Sequence, residues 1–200
     1  CRATMISPRM IFIPIVRVER FWCFSLSVNL LRDIELRPPF VDDAAPLAAF
    51  IRECAPLEPN TTYAYLLFCT HFADTCLIAR DHEGIIGAVV GYRPPKQPDT
   101  LFVWQIAVHE RARGAGLGSC MLWELTNCLT SDGVRFVEAT VTPSNTASDH
   151  LFRKFAEQKV TICERIEHFE KAHFGSGSHE AELLYRVGPI SNLTKENEST

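Results

Sequence analysis

Residues 108–119, Val108-His109-Glu110-Arg111-Ala112-Arg113-Gly114-Ala115-Gly116-Leu117-Gly118-Ser119, carry the pattern that decides the fold of this chain. They follow an apolar run, Leu101–Val108, and lead into an amphipathic run, Cys120–Leu129. This context predicts a loop between a buried strand and a helix. Backbone N–H groups, the positive end of the helix dipole and two arginines would meet there, which suits a pyrophosphate. The plain alternative is a glycine-rich turn whose arginines are solvated.

Two other phosphate-binding loops do not match this stretch. A Walker loop ends in Gly-Lys-Ser or Gly-Lys-Thr, and residues 108–119 contain no lysine. A dinucleotide-binding loop needs the spacing G-x-G-x-x-G at the first strand of a βαβ unit. Here the glycines stand at 114, 116 and 118, and a hairpin precedes the strand. The sequence therefore argues against both.

The apolar patterns on either side predict an α/β (α+β mixed sheet) fold, a central mixed β-sheet flanked by helices. A hairpin comes first, and the strand–helix–strand order after it requires a parallel crossover. Predicted strands are 34–37, 75–80, 85–92, 101–108, 134–141, 160–164 and 183–187. Four helices are predicted. The first runs from a cap at Asp42 or Asp43 to about Cys54, and the second begins at an Asn60 cap and has Tyr63, Leu66, Leu67 and Thr70 on its apolar face. The third covers 120–129, and the fourth runs from about 143 to 156.

Composition indicates one globular domain. The chain has 200 residues, of which 46% are hydrophobic and 22% charged, and its formal net charge of -4 argues against a protein that coats nucleic acid. Residues 1–32 differ, because they hold five arginines and one glutamate around two short apolar runs. Neither run reaches the roughly 20 residues of a membrane span. We expect 1–32 to be a leader or non-native extension, 33–190 to be the domain, and 191–200 to be a disordered tail.

Cysteine and histidine placement predicts neither a disulfide framework nor a metal site. The eight cysteines form no CxxC pair and several lie in apolar runs, so we expect reduced, buried thiols. The seven histidines do not pair at ligand spacing.

The motif Arg111-x-x-Gly114-x-Gly116 resembles the acyl-CoA-binding signature of the GNAT acetyltransferases, and the likeness extends over about 34–188. It implies a GNAT fold in which acetyl-CoA is the co-substrate and no metal is needed. It also implies that the pantetheine arm lies between the two central parallel strands, along the backbone of Ile106 and Val108 and in contact with Asn145. The pyrophosphate would be held by the loop residues Arg111, Arg113, Gly114, Ala115, Gly116, Leu117 and Gly118.

Three longer stretches resemble the diaminobutyrate acetyltransferases of ectoine synthesis. They are residues 57–67 (LEPNTTYAYLL), 70–76 (THFADTC) and 98–105 (PDTLFVWQ). The resemblance implies acetyl transfer to an amine of L-2,4-diaminobutyrate, the terminal one, to give a precursor of the osmoprotectant ectoine. It further implies a cytoplasmic enzyme with a small-molecule amine as partner, neither nucleic acid nor membrane, and a homodimer.

Acetyl transfer to an alkylamine needs a proton acceptor, since such an amine has a pKa of about 10.4. Direct attack in a ternary complex is expected, with the thioester oxygen polarised by backbone N–H near Val108. Candidate catalytic residues are Glu58 and Tyr63. Candidate substrate-binding residues are Glu58, Tyr63, Trp104, Glu180 and Glu182, with His179 beside the last two. For the carboxylates the alternative is a solvated side chain, and for the aromatic residues it is core packing.

One position departs from the GNAT pattern. Many members place a tyrosine seven residues after the asparagine, as an acid for the CoA thiolate, whereas here that position is Phe152. The thiolate must then leave unassisted, or water or Tyr63 must supply the proton. Two other functions stay open at this point: an N-acetyltransferase for another small amine or polyamine, and a non-catalytic acyl-CoA-binding regulator.

Overall fold

The computed structural model describes residues 16–17, 34–54 and 60–191. Within them, eight strands form one sheet in the order β1-β2-β3-β4-β5-β6-β8-β7. Only the β5–β6 pair is parallel, so the predicted mixed sheet is confirmed. The strands are β1 Val16–Arg17, β2 Glu35–Arg37, β3 Leu77–Asp81, β4 Gly84–Tyr92, β5 Thr100–Val108, β6 Phe136–Val141, β7 Ile162–Phe169 and β8 Glu182–Gly188. The helices are α1 Ala44–Glu53, α2 Thr62–His71, α3 Leu117–Thr130 and α4 Thr146–Gln158.

Helices cover both faces of the sheet and divide the core in two. Beneath α3 and α4 the buried side chains include Met121, Leu125, Phe152, Phe155 and Val137. Beneath α1 and α2 a second cluster includes Leu47, Ile51, Tyr65, Ile78 and Val90. The long apolar strands in the middle of the chain are thus buried on both faces, as such strands usually are.

Several local predictions differ from the structure. The α2 cap is Thr61, not Asn60, because the Thr61 hydroxyl accepts the Ala64 N–H. The predicted apolar face of α2 is wrong, since its buried residues are Tyr65 and Cys69. This helix is apolar almost all round, so its sequence pattern does not indicate which side faces the sheet. β7 begins at Ile162, two residues later than predicted, and runs on to Phe169.

The N-terminal extension contributes to the sheet through β1, where Val16 pairs with Leu36 and Arg17 with Glu35. The rest of the predicted extension, 1–15 and 18–32, and residues 192–200 of the predicted tail lie outside the described residues.

The Asp43 side chain links the start of α1 to the sheet and makes no capping hydrogen bond to the helix. Its buried carboxylate accepts two hydrogen bonds from Arg37, at 2.6 and 2.9 Å, and one from Arg80 at 2.8 Å. Burial alone would raise the pKa of Asp43, but the bonds from Arg37 and from the Phe40 N–H outweigh it and hold the pKa below its ordinary value. The start of α1 is therefore anchored to β2 and β3 through one carboxylate.

The two parallel strands separate after a short ladder. β5 and β6 pair at Thr100–Phe136, Leu101–Val137 and Phe102–Glu138, and no later pair joins them in the described chain. Beyond that point β5 stays paired with β4 up to Val108, and β6 stays paired with β8 up to Val141. An opening between the ends of the two strands results.

Candidate active site

A bulge in β5 lies where the opening begins. Val103 pairs with Gly91 and Gln105 with Val90, so Trp104 is the extra residue. A bulge interrupts the alternation of side chains. As a result the neighbouring residues Trp104 and Gln105 both reach α2, through a ring contact and a hydrogen bond respectively.

The glycine-rich loop lies at the open end of β5 and is accessible. Arg111, Arg113 and Gly114 are exposed, whereas Ala112 and Leu117 pack into the core and hold the loop in place. Gly114 and Gly116 have φ of +76° and +82°, in a region that favours glycine.

The first turn of α3 begins at Gly116, and no side chain of the described residues caps it. Leu117, Gly118 and Ser119 therefore present backbone N–H groups, together with the helix dipole, to an anion.

The two loop arginines are held by the protein in different ways. Arg111 donates to both oxygens of Asp81 in the β3–β4 hairpin, at 2.5 and 3.0 Å. The bond from Arg111 is the main cause that lowers the pKa of Asp81. Arg113 donates from Nε to the Val108 carbonyl at 3.1 Å. Both side chains brace the loop, and the direct phosphate contact expected of them stays a prediction.

Gly118 faces the end of β5. A Cβ built there would lie 3.5 Å from Val108 Cγ2, 3.9 Å from Leu151 Cδ1 and 4.0 Å from Ile106 Cδ1. The side chains of Ile106 and Val108 thus point under α3, and the backbone edge of this part of β5 faces the opening. That edge can pair with an amide-bearing chain in the manner of a missing strand.

The β6–α4 connection forms the opposite rim. Asn145 caps α4, since its Oδ1 accepts the Ser148 N–H at 3.0 Å. Ser144 Oγ donates to Glu180 Oε1 at 2.5 Å. This contact draws the segment before β8 onto the open end of β6.

A second contact in the segment before β8 joins a histidine to a carboxylate. His179 Nε2 lies 3.6 Å from Glu182 Oε1, and the imidazole stacks on Phe174 with centroids 3.8 Å apart. Ser144 thus holds the Glu180 carboxylate at the rim, and His179 faces the Glu182 carboxylate at the start of β8. Acidic groups at this place suit a cationic amine. The sequence analysis named His179 with these glutamates as a candidate for completing the pocket and gave it no catalytic role.

The aromatic candidates on the α2 side occupy different surroundings. Tyr63 is 68% exposed on the first turn of α2, and Trp104 stacks on Phe68 with centroids 4.7 Å apart. The sequence analysis missed Tyr65, which is fully buried and donates to Gln105 Oε1 at 2.9 Å. The four-residue spacing of Tyr65 and Cys69 was the only sign of that buried face.

The α1–α2 connection carries Glu58, which lies outside the described residues together with 55–57 and 59. Cys54, at the end of α1, is the last described residue before this connection. Burial raises the pKa of the Cys54 thiol, and the Arg113 guanidinium opposes that rise. The role of Glu58 stays a prediction.

Phe152 cannot donate a proton, and the tyrosine beside it, Tyr185, is already engaged. Its ring is buried against Tyr185, with centroids 6.1 Å apart. The Tyr185 hydroxyl donates to Asp149 at 2.8 Å. Burial, and then that bond, raise the pKa of the Tyr185 phenol, which makes it a poorer acid.

Burial makes five of the six described cysteines poor nucleophiles, because it disfavours the thiolate. The six described ones are free, and burial raises the pKa of Cys69 to about 11 and of Cys76 to about 12. Residues 16–17, 34–54 and 60–191 contain no cluster of three or more potential metal ligands. In the same ranges, no helix combines the length and apolar character needed to cross a bilayer.

Comparison with known proteins gives one consistent result. Residues 44–156 match the acetyltransferase (GNAT) family model. The chain is 41% identical over 157 residues to an L-2,4-diaminobutyric acid acetyltransferase of Halalkalibacterium halodurans, covering 78% of this chain and 82% of the relative. A relative of the same name from Streptomyces coelicolor is 41% identical over 161 residues, covering 80% and 95%.

A solved structure agrees with these relatives. The diaminobutyrate acetyltransferase of Paenibacillus lautus, in complex with L-2,4-diaminobutyric acid and coenzyme A, superposes with a TM-score of 0.76 at 38% identity, covering 80% of this chain and 97% of that one. The chain therefore belongs to the GNAT acetyltransferase family and, within it, to the L-2,4-diaminobutyric acid acetyltransferases.

Proposed function

We propose that this protein transfers the acetyl group of acetyl-CoA to L-2,4-diaminobutyrate, on its terminal amine. The observation that carries the proposal is the opening between β5 and β6, which ends at an exposed loop with two left-handed glycines and an uncapped helix start. A diphosphate fits the loop, and an extended amide-bearing arm fits the free strand edge.

The residues of this chain divide the binding of coenzyme A between backbone and side chains. The amides of 111–118 would hold the pyrophosphate, and the backbone of Ile106 and Val108 would pair with the arm. Asn145 contributes its side-chain nitrogen, since its oxygen is used in the α4 cap. Bound acetyl-CoA supplies a thioester, whose carbonyl carbon the neutral amine attacks while the bond to sulfur breaks.

The rim residues bind and deprotonate the amine. Glu180 and Glu182 offer carboxylates to a substrate that carries two ammonium groups, and Trp104 can pack on its short carbon chain. We propose His179 as the acceptor of the amine proton. Its Nδ1 lies 2.7 Å from the Glu180 carbonyl oxygen, to which it can donate, so Nε2 is the basic nitrogen, and the Glu182 carboxylate 3.6 Å away would stabilise the imidazolium that forms. Glu58 and Tyr63, from the α1–α2 side, are proposed to close the pocket.

The product of the reaction and the cellular compartment of the enzyme follow from the same proposal. The N-acetyl-diaminobutyrate formed would serve ectoine synthesis. Six described free thiols suit a reducing compartment, so we propose a cytoplasmic enzyme. The catalytic domain is proposed to be 33–190, with 1–32, which supplies the edge strand β1, and 191–200 as accessory segments.

We also propose a homodimer. β7 is an edge strand, and it exposes 59% of Ile162, 47% of Ile166 and 39% of Phe169. Unpaired edges with exposed apolar residues commonly lie at interfaces. Light scattering behind size exclusion should give twice the chain mass, and a monomer at all concentrations tested would contradict this.

The activity is tested by thiol release from acetyl-CoA with the purified full chain and separate amines. Release with diaminobutyrate, and far less with lysine or spermidine, is expected. Preference for spermidine or lysine would point instead to another small-amine acetyltransferase. Binding of CoA without any release would indicate a non-catalytic acyl-CoA sensor.

A further inference from the structure

The β3–β4 hairpin holds the start of the glycine-rich loop at two points. Arg111 donates from both Nη atoms to the carboxylate of Asp81, the last residue of β3, at 2.5 and 3.0 Å. The His109 N–H donates to the Ile86 carbonyl on β4 at 2.9 Å. The hairpin therefore fixes the place at which the loop leaves the sheet.

The turn that follows His109 uses its backbone N–H groups internally. The N–H groups of Arg111 and Ala112 both donate to His109, to Nδ1 at 3.3 Å and to the carbonyl oxygen at 2.9 Å. The Arg113 N–H donates to the Glu110 carbonyl at 3.1 Å. This turn thus braces the loop, and the amides that can face a diphosphate begin after it, at the two left-handed glycines.

The contact between Arg111 and Asp81 is a two-pronged ion pair at the edge of the protein interior. The side chain of Asp81 is 11% exposed and that of Arg111 is 35% exposed. Paired bonds between a guanidinium and a carboxylate fix the orientation of both groups, more than a single bond to a lysine would. Arg111 is therefore held in one place and is not a freely moving surface cation.

Charge alone makes this arrangement unfavourable for an anion. Asp81 neutralises the arginine, and Glu83 adds a second carboxylate, whose Oε2 lies 3.5 Å from Arg111 Nη2. Two negative charges beside a loop that binds a diphosphate weaken that binding by repulsion. A favourable effect of Asp81 on the coenzyme must then come from the geometry that it gives to the loop.

We infer that Asp81 is a positioning residue for coenzyme A. Through Arg111 it holds the loop in the shape in which the later amides converge on the diphosphate before the ligand arrives. Such preorganisation raises affinity because less ordering remains to be done on binding. The inference rests on the part of the proposed function that places the diphosphate at this loop.

Asp81→Asn tests the inference, because asparagine can keep the hairpin turn. The Asp81 Oδ1 accepts the Glu83 and Gly84 N–H groups, at 2.9 and 3.2 Å, and an amide oxygen can do the same. What is lost is the charge and the second oxygen that hold Arg111. We expect the Kd for CoA to rise about 5-fold to 10-fold, as loss of a charge-assisted pair implies. A direct contact between Arg111 and phosphate predicts the opposite, tighter binding, because the arginine would be released.

Two further variants separate geometry from charge. Arg111→Lys keeps the positive charge but loses the paired bonds, so it should raise the Kd by a similar factor. In that background Asp81→Asn should have almost no further effect. Glu83→Gln is the matched control, since it removes a negative charge from the same hairpin and leaves the Asp81–Arg111 pair intact. Its Kd for CoA should equal that of the wild type or be lower, and a rise like that of Asp81→Asn would overturn the inference.

Isothermal titration with CoA measures the Kd, and urea unfolding measures stability in parallel. In turnover, the KM for acetyl-CoA should rise while kcat stays unchanged, because the diphosphate takes no part in the chemical step. An Asp81→Asn enzyme that unfolds more easily but keeps the wild-type Kd would show a purely structural aspartate and overturn the inference. If this variant does not fold, Arg111→Lys decides in the same way.

The titration requires no amine, so its result is independent of the substrate. A wild type that prefers another amine, or shows no turnover, would contradict the proposed function and leave the comparison of Kd values valid. A wild type that does not bind CoA would overturn both.

Discussion

At the residue scale, a side chain at position 116 would be unfavourable for two separate reasons. The φ of Gly116, +82°, lies where L-residues are strained, and Gly116 forms the start of the uncapped helix α3. Under the proposed function, a side chain there would also stand where the diphosphate approaches. Backbone conformation therefore favours glycine at this position, and the proposed ligand would require it.

Gly116→Glu is expected to abolish CoA binding while the fold persists. The carboxylate would take the place of the anion at the helix start and repel its phosphates. Isothermal titration with CoA, alongside the circular dichroism spectrum, measures both effects.

Gly133→Glu is its matched control. Gly133 has φ of +85° with open space around it, and it follows α3 at the far end from the loop. Like Gly116→Glu, this variant introduces a backbone strain of about 1–2 kcal/mol and one negative charge, but it should bind CoA normally. Equal CoA affinity in the Gly116 variant and the wild type would remove the loop from the site.

Glu138, which is buried, forms an ion pair with the partly exposed Arg186 on facing positions of β6 and β8, and the guanidinium also lies over the Phe136 ring at 3.9 Å. Arg186→Met should destabilise the protein by about 3–5 kcal/mol, because it leaves the Glu138 carboxylate buried without its partner. Urea unfolding measures this.

Arg153→Met provides the comparison for that pair. Arg153 lies 3.6 Å from Asp149 with 59% of its side chain exposed, so its removal should cost less than about 1 kcal/mol. Similar losses of unfolding free energy in Arg186→Met and Arg153→Met would contradict the role given to burial.

At the scale of the elements, the attachment of α1 through Asp43 makes stability depend on pH. The folded state lowers the pKa of Asp43 below 3.8, so the unfolded chain binds the proton more readily. The stabilisation is complete above the ordinary pKa and is lost as pH falls through the folded value.

Asp43→Asn should therefore be less stable than the wild type at pH 7, by about 3–5 kcal/mol, because Arg37 loses its buried partner. The difference should shrink as the pH is lowered below about 4. Thermal unfolding across this range, with the exposed neighbour change Asp42→Asn as control, provides the measurement. A difference that is constant with pH would argue against the ion pair.

Strand β5 shows which structural features the sequence pattern does not predict. The run Leu101–Val108 predicts a strand because its residues are almost all apolar, and β5 covers it. Nothing in that run marks Trp104 as a bulge, since the bulge depends on which residue of β4 stands opposite. The separation of β5 from β6 could not be predicted for the same reason, except through the family resemblance.

At the scale of the whole molecule, the described part of the N-terminal segment, β1, lies at one edge of the sheet that carries the site. β1 joins β2 through two residue pairs, four strands away from β5 in the sheet order. A chain starting at residue 33 should keep its CoA affinity and its kcat/KM for diaminobutyrate. Calorimetry and the thiol-release assay on both chains test this, and loss of folding in the shorter chain would show that 1–32 belongs to the domain.

The sequence by itself determined the fold class, the glycine-rich loop and its place between a strand and a helix. These follow from local signals: apolar runs, glycine spacing and charge. Phe152 was visible as a missing proton donor through the resemblance to the GNAT pattern, which sets the count from Asn145.

Only the tertiary structure decided which side chains share a surface. It paired Tyr65 with Gln105, His179 with Glu182 and Glu138 with Arg186, across 40, 3 and 48 positions of the chain. It also turned Arg111 toward Asp81 and Asp43 toward Arg37. The physical reason is that strand pairing and helix packing bring together residues distant in sequence, and the side that an almost uniformly apolar helix presents is chosen by its neighbours.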